Sequence, residues 1–354
     1  MTSNIGGGRN LPAFFSPSKE TIMKPAELAT FLSFCITNHF PPIIKGRPGI
    51  GKSDIVGQAS QTANARLIIS HPVVSDPTDY KGLPFAKDDK MAYFLPYGEL
   101  HEILHTEEET IFFLDDLGQA TPAVQAACMQ LILARRINGH IVSDKVTFAA
   151  ATNRKEDKAG VSGILEPLKS RFISIVELEV KVDDWVKWAL KNNMPIELIA
   201  FVQTRPDYIE KFEPNKDIVN SSSPRTVANV GLMQNNGLPD ALEFEAFKGA
   251  AGEDFATEYR TYLKVYRKLP AIDQIILSPA KAIVPIEPDL LYAVGYALSK
   301  RATAQNFPAI STYLKRIPIE YAIASIKGAT DRDNDLCNTR TFKEWASDNT
   351  GVFI

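Results

Sequence analysis

Cysteine, histidine and long apolar runs are what this 354-residue chain has least of. Its three cysteines, Cys35, Cys128 and Cys337, are odd in number, far apart and without metal-type spacing. Neither a disulfide framework nor a zinc site is expected from them. Five histidines, at 39, 71, 101, 105 and 140, leave His101 and His105 as the one i, i+4 pair, with no third ligand in sight. No Ser-His-Asp cluster stands beside them. No apolar run reaches the length needed to cross a bilayer, and the opening Met-Thr-Ser-Asn-Ile-Gly-Gly-Gly-Arg-Asn lacks a secretory apolar core. The expectation is a cytoplasmic protein with no membrane insertion. Strong charge of either sign is missing too: 39 Lys and Arg against 42 Asp and Glu leave −3, so nucleic acid is not the expected partner.

What is there is ordinary globular composition, 45% hydrophobic and 23% charged, in a chain long enough for two cores. Residues 1–20, rich in Gly, Ser, Asn and Pro, read as a flexible amino-terminal arm. Between residues 21 and 180 five short apolar runs alternate with helical segments: Pro42-Ile43-Ile44, Leu67-Ile68-Ile69, Ile111-Phe112-Phe113-Leu114, Val146 to Ala150, and Ile173-Ser174-Ile175-Val176. This alternation predicts an α/β fold with a five-stranded parallel sheet flanked by helices. Val124, Ala127, Cys128, Leu131 and Ile132 fall on one helical face, and Cys128 reads as a core residue. That helix ends near Arg135 and Arg136. Asn138-Gly139, between Ile137 and Ile141-Val142, then signals a hairpin with a type I′ turn. Strand signals thin out after residue 180, and helical spacing predicts a smaller all-helical lid over 181–310 and a helical extension over 311–354. Trp185, Trp188, Tyr259, Tyr262 and Tyr266 read as core or subunit contacts within it.

Residues 46–53 read Gly46-Arg47-Pro48-Gly49-Ile50-Gly51-Lys52-Ser53, directly after an apolar strand and before a helical stretch. This is the G-x-x-x-x-G-K-[ST] phosphate loop. Its glycines let backbone N–H groups curl around phosphate oxygens, at a helix amino terminus that favours negative charge. Lys52 is then expected to neutralise the β and γ oxygens of ATP, and the Ser53 hydroxyl to ligate Mg²⁺. Asp115 and Asp116 follow the third apolar run, at the strand end where ligands of open α/β sheets sit. Asp115 is the expected second Mg²⁺ residue, and Asp116 stands where an attacking water is polarised.

Together these motifs resemble an AAA+ ATPase, and the details resemble the MoxR family. The resemblance covers residues 22–235 and is carried by further stretches. Thr152-Asn153 ends the fourth strand, so Asn153 matches the polar sensor that positions the lytic water. Ser170-Arg171-Phe172 matches the segment that gives an arginine finger, Arg171, to the neighbouring subunit. Ser223-Pro224-Arg225 matches the second sensor, whose arginine, Arg225, reaches the γ-phosphate from the lid. Asp79-Tyr80-Lys81-Gly82 matches an Asp-x-x-Gly loop, and the Asn138-Gly139 hairpin an insertion before the first sensor. Asp116 departs from the family's usual Glu, one methylene shorter.

The resemblance implies a homo-oligomer, a hexameric ring, that hydrolyses ATP with Mg²⁺ and remodels or activates a partner protein. A von Willebrand factor A domain partner is implied in a separate chain, since no Asp-x-Ser-x-Ser site occurs here. Two alternatives stand beside this reading. One is an ATP-switched scaffold that hydrolyses very slowly. The other is a nucleic-acid motor or loader, for which Arg135, Arg136, Lys145, Arg154, Lys155 and Lys158 form a modest basic cluster, offset by Glu156 and Asp157.

Overall fold

The structure, a computed structural model, describes residues 22–87, 90–157, 163–210, 218–267, 269 and 271–349. The expected arm at 1–20 lies outside them. Contacts divide the chain into two compact units: residues 1–45, 58–152 and 164–179 form one, and 46–57, 153–163 and 180–354 the other.

The strands, in chain order, are β1 (Ile22–Met23), β2 (Pro42–Lys45), β3 (Arg66–Ser70), β4 (Leu83–Ala86), β5 (Ala92–Leu95), β6 (Thr110–Leu114), β7 (Arg136–Ile137), β8 (His140–Ile141), β9 (Val146–Thr152) and β10 (Ser174–Leu178). Six of them form one wholly parallel sheet in the order β1-β10-β2-β9-β6-β3. β6 and β9 are buried along their whole length, which is why they read as unbroken apolar runs rather than alternating ones. The five predicted strands are all present. The sixth, β1, adds to the edge through Ile22 opposite Glu177 and Met23 opposite Leu178. Two residues carry no periodicity to read.

The helices up to residue 180 are α1 (Pro25–Thr37), α2 (Lys52–Thr62), α3 (Pro77–Lys81), α4 (Gly98–His105), α5 (Pro122–Ala134) and α6 (Glu166–Lys169). α5 starts at the Thr121 cap and buries Val124, Ala127, Cys128, Leu131 and Ile132, the face its spacing predicted. These pack with Ile43, Phe112, Phe148 and Tyr80 in the core of the first unit. Beyond Arg135, the two-residue turn Asn138-Gly139 has φ of 47° and 88° and joins β7 to β8, with Ile137 opposite His140. Positive φ at both central residues is the type I′ geometry expected.

Two features differ from expectation. Asp79-Tyr80-Lys81-Gly82 is no open loop but the end of α3, because Asp76 and Asp79 form a reciprocal cap and Pro77 opens the first turn. The ribbon β4-β5 has no counterpart in the expected strands; Pro84 inside β4 demotes that stretch as a strand signal. The β7-β8 hairpin is tied to the end of α3, where Asn138 Nδ2 donates to the Lys81 carbonyl at 2.8 Å, and to the β4-β5 ribbon, where a His140 ring nitrogen bonds the Phe94 carbonyl at 2.8 Å.

The second unit is helical from residue 182 onward: α7 (Val182–Lys191), α8 (Ile196–Thr204), α9 (Asp207–Glu210), α10 (Pro224–Asn235), α11 (Glu243–Ala251), α12 (Glu253–Tyr266), α13 (Ile272–Leu277), α14 (Pro288–Arg301), α15 (Phe307–Leu314), α16 (Ile319–Arg332) and α17 (Arg340–Asp348). Phe201, Phe247, Phe255, Tyr259 and Tyr262 stack into one buried aromatic cluster, so these aromatics are core. Burial pushes the Tyr266 phenol up to about 12. A second core gathers Leu298, Phe307, Tyr313, Ile326 and Trp345 from α14 to α17.

Gly82 takes φ +83°, and a Cβ there would meet the Leu95 carbonyl oxygen at 2.9 Å, whereas Gly139 at φ +88° faces open space. Gly82→Ala is therefore expected to lower unfolding stability by roughly 2–4 kcal/mol, the backbone cost plus a clash. Gly139→Ala should cost only about 1 kcal/mol. Equal urea midpoints for the two variants would contradict this packing.

Candidate phosphate-binding site

Parallel strands all end on one edge, and β2 and β9 end there in register, Lys45 opposite Thr152. The next residue of each chain segment is Gly46 or Asn153, and both belong to the second unit with the loop they begin. Within that unit the loop turns on Gly49 and Gly51, whose φ values of 72° and 86° are open to glycine and costly for other residues. Gly46 is not among the positive-φ residues. α2 then starts at Lys52, with Ser53 and Asp54 in its first turn, and Ile55 N–H donates to the Gly51 carbonyl at 3.0 Å. Pro48 presets one turn of the loop, and Ile50 is buried.

Lys52 is only 7% exposed. Its Nζ donates to the carbonyls of Gly46 at 3.1 Å and Arg47 at 3.0 Å, and to Asn153 Oδ1 at 2.6 Å. A buried ammonium needs such oxygens, because an isolated buried charge is heavily penalised. The expected sensor and the expected phosphate lysine are thus in direct contact. Asn153 is itself buried.

The loop is also pinned to the start of α10. Arg225 N–H donates to the Gly49 carbonyl at 3.0 Å, and a Cβ on Gly49 would lie 2.9 Å from Ser223 Oγ. Ser223 caps α10 by accepting from Thr226 N–H, and Trp185 Nε1 donates to the Pro224 carbonyl at 3.1 Å. Arg225 therefore stands at the loop by its backbone, with an exposed side chain. Arg47 makes a third attachment through the Glu210 carbonyl, while Glu210 Oε1 accepts from Val182 N–H at 3.1 Å. Sequence reasoning missed Arg47, Glu210 and Trp185 in these roles. Ser223 alone was readable, as a Ser-Pro pair opening a helix.

Asp115, Asp116 and Arg171 belong to the first unit. Asp115 follows β6, and its N–H donates to the Ser70 carbonyl at 2.9 Å. Asp116 is left-handed, φ 56° and ψ 32°, and its N–H donates to Asp115 Oδ1 at 3.1 Å. Among residues with a Cβ, Asp and Asn tolerate this conformation best, which gives a backbone reason for Asp where Glu was expected. Beside them Tyr80, unassigned from sequence, is 2% exposed, and its Oη bonds Ser70 Oγ at 2.8 Å. Burial raises its phenol to about 12, so it stays a neutral strut for the strand end. Arg171 turns back on α6, bonding the Pro167 carbonyl and, at 3.2 Å, Ser170 Oγ.

Three residues of the basic cluster are engaged. Arg135 donates to the carbonyls of Val146 and Ser143, Lys145 meets Glu109 at 2.7 Å, and Arg154 forks onto Asp157 at 2.8 and 2.6 Å. Lys158 lies outside the described residues. His101 and His105 stack at 4.3 Å, and among the described residues no group of three or more His, Cys, Asp or Glu is placed to hold a metal ion. Nor, among them, is any helix long and apolar enough to cross a membrane.

No family model matches this chain. Among solved structures it is similar to a point mutant of Thermotoga maritima RuvB, at 16% identity over 77% of this chain and 80% of that one, TM-score 0.42. It is also similar to NtrX from Brucella abortus in complex with ADP, at 13% identity over 92% and 67%, TM-score 0.41. A third similar structure is the replication initiator DnaA bound to AMPPCP and single-stranded DNA, at 15% identity over 92% and 95%, TM-score 0.37. At these values the likenesses add no residue role to the geometry above.

Asn153→Asp would replace a neutral partner of Lys52 by a carboxylate at 2.6 Å. The resulting ion pair competes with any phosphate, so nucleoside triphosphate affinity should fall at least tenfold, about 1.4 kcal/mol. Unchanged affinity in a fluorescent-nucleotide titration would show that Lys52 does not meet the ligand.

Proposed function

We propose that this chain is an AAA+ ATPase of MoxR-like type that binds and hydrolyses ATP, assembles as a ring and remodels a partner protein. The observation that carries the reading is the convergence, inside one unit, of Lys52, Asn153 and the first turn of α10 on the loop 46–53. Three segments far apart in sequence meet where a polyphosphate would lie.

The residues fit the ligand. Gly49 and Gly51 leave the loop backbone free of Cβ atoms where phosphates approach, and the Ser53 hydroxyl is a hard oxygen donor of the kind Mg²⁺ takes; Asp115 is the second donor this reading calls for. Mg²⁺, when bound, supplies charge neutralisation at the β and γ oxygens. Lys52 exchanges neutral carbonyl partners for anionic oxygens, a charge-assisted bond roughly twice as strong as a neutral one. Asp116 accepts a proton from the attacking water, whose oxygen bonds to the γ-phosphorus as the bond to the bridging oxygen breaks and ADP leaves. Asn153 orients that water, and Arg225 supplies positive charge from the lid. Arg171 serves the ATP of the next subunit, which makes the catalytic unit a closed ring, six subunits by the family resemblance.

For the partner, the joined hairpins offer a surface. On one face of the ribbon Leu83 pairs with Leu95 and Phe85 with Tyr93, and all four are exposed. Such a strip suits a protein client, including a von Willebrand factor A domain in a separate chain, better than nucleic acid. The engaged state of Arg135, Lys145 and Arg154 points the same way. A cytoplasmic setting is part of this reading.

The left-handed Asp116 favours one second reading, a nucleotide-switched scaffold. A carboxylate misplaced by about 1 Å can cost a hundredfold in rate. Turnover assays on wild type and Asp116→Asn separate the two. The enzyme reading predicts measurable turnover that falls about a hundredfold in Asp116→Asn with ATP binding kept. Wild-type turnover at the level of Asp116→Asn would establish the scaffold instead.

A further inference from the structure

A water that attacks a phosphorus atom has four directions to fill: two hydrogens that need acceptors, one lone pair that accepts a hydrogen bond and one that forms the new bond. On the reading proposed above, Asp116 accepts one hydrogen. Asn153 meets Lys52 through Oδ1 at 2.6 Å, so toward a water its amide offers N–H groups and fills a lone-pair direction. The second hydrogen still needs an acceptor. A side chain for it stands three residues beyond Asp116. The short turn Leu117–Gln119 is fixed at both ends: Gln119 N–H donates to the Asp116 carbonyl at 2.9 Å, Ala120 N–H donates to the Leu117 carbonyl at 3.2 Å, and Leu117 and Ala120 are wholly buried. The turn packs against β9, the strand whose last residue, Thr152, precedes Asn153. Gln119 Oε1 is buried, yet no donor among the described residues reaches it. Gln125, 1% exposed, shows what this stretch does with a glutamine used as structure: its Nε2 donates to the Ala120 carbonyl at 3.1 Å, and its Oε1 accepts from Leu165 N–H at 2.9 Å. A buried acceptor left open costs free energy, and in a folded protein it calls for a catalytic role, a bound water or an ion.

We propose that Gln119 is a catalytic residue of the ATPase reaction inferred above, on which reading this rests, and that its Oε1 accepts the second hydrogen of the attacking water. The step balances with Gln119 unchanged. The water oxygen bonds to the γ-phosphorus, the bond to the bridging oxygen breaks, and the released proton goes to Asp116. An amide neither takes nor gives a proton here; it sets direction, as a glutamine does toward the attacking water in other nucleotide-hydrolysing enzymes. The short side chain of Asp116 gives the reason for a second acceptor. A water held by one hydrogen turns about that bond, and a second acceptor stops the turning, which keeps the attacking lone pair aligned. Both acceptors lie on one turn closed by the 2.9 Å bond from Gln119 N–H to the Asp116 carbonyl, so their backbones are fixed relative to each other.

The test is ATP turnover, ATP affinity and thermal unfolding for wild type, Gln119→Met, Gln119→Leu, Asp116→Asn and the double variant Asp116→Asn with Gln119→Met. Methionine keeps the length of glutamine without its acceptor. Turnover in Gln119→Met should fall roughly tenfold or more with ATP affinity unchanged, while the melting temperature stays level or rises, because no hydrogen bond to Oε1 is given up. Gln119→Leu should repeat this. Adding Gln119→Met to Asp116→Asn should slow the enzyme no further, since the two side chains act on one water as a unit. Wild-type turnover in both Gln119 variants overturns the assignment and leaves the ATPase reading standing. A melting temperature that falls with turnover in both variants makes Oε1 a structural group completed by a permanent water, and also overturns it. So does a double variant in which the two losses multiply in full. Absence of turnover in wild type at saturating Mg²⁺-ATP overturns the hydrolysis reading itself, and the role of Gln119 with it.

Discussion

The buried ammonium of Lys52 is the constraint on which the candidate site depends. A cation 7% exposed is tolerable only if the surrounding chain brings oxygens to it, and here those oxygens include the Gly46 and Arg47 carbonyls and the Asn153 amide. Each of these fixes something larger. The carbonyls fix the curl of the loop, and the amide ties that loop to the segment following β9. At an effective dielectric near 20, a phosphate oxygen about 4 Å from the ammonium gains on the order of 4 kcal/mol, enough to displace neutral partners. The same contacts that stabilise the cation without ligand can therefore be exchanged when a polyphosphate arrives.

Why the loop can present Lys52 follows from the sheet and the helix beside it. β2 lies between β10 and β9, buried and apolar, so its end is rigid, and the glycines at 49 and 51 allow the reversal into α2. The Gly49 carbonyl then accepts from Arg225 N–H, and Trp185 holds Pro224 one residue earlier. A shift of the loop by a ligand is thereby a shift of α10. On the proposed reading, loop and α10 are coupled through this backbone hydrogen bond rather than through a long side chain.

Much of this was legible in the sequence because it rests on local spacing. The phosphate loop, the Asp pair after an apolar run and the Asn-Gly turn each lie within a few residues, and their backbone geometry is set by those residues. The α5 face was readable for the same reason. Arg47 with Glu210 was not, since 163 positions separate them and no local pattern marks either. β1 was too short to show a period, Pro84 masked β4, and the Asp76 and Asp79 cap turned an expected loop into a helix. The left-handed backbone at Asp116 is the most instructive case: the departure from Glu was visible as chemistry, and its backbone cause only as a dihedral angle.

The most direct measurement is calorimetric titration of Mg²⁺-ATP into wild type and Lys52→Ala. One saturable site per chain is predicted in wild type, lost in Lys52→Ala while the variant keeps its cooperative thermal unfolding. Equal affinity in the two proteins would contradict the assignment of Lys52 as the phosphate lysine, and with it the site built around that side chain.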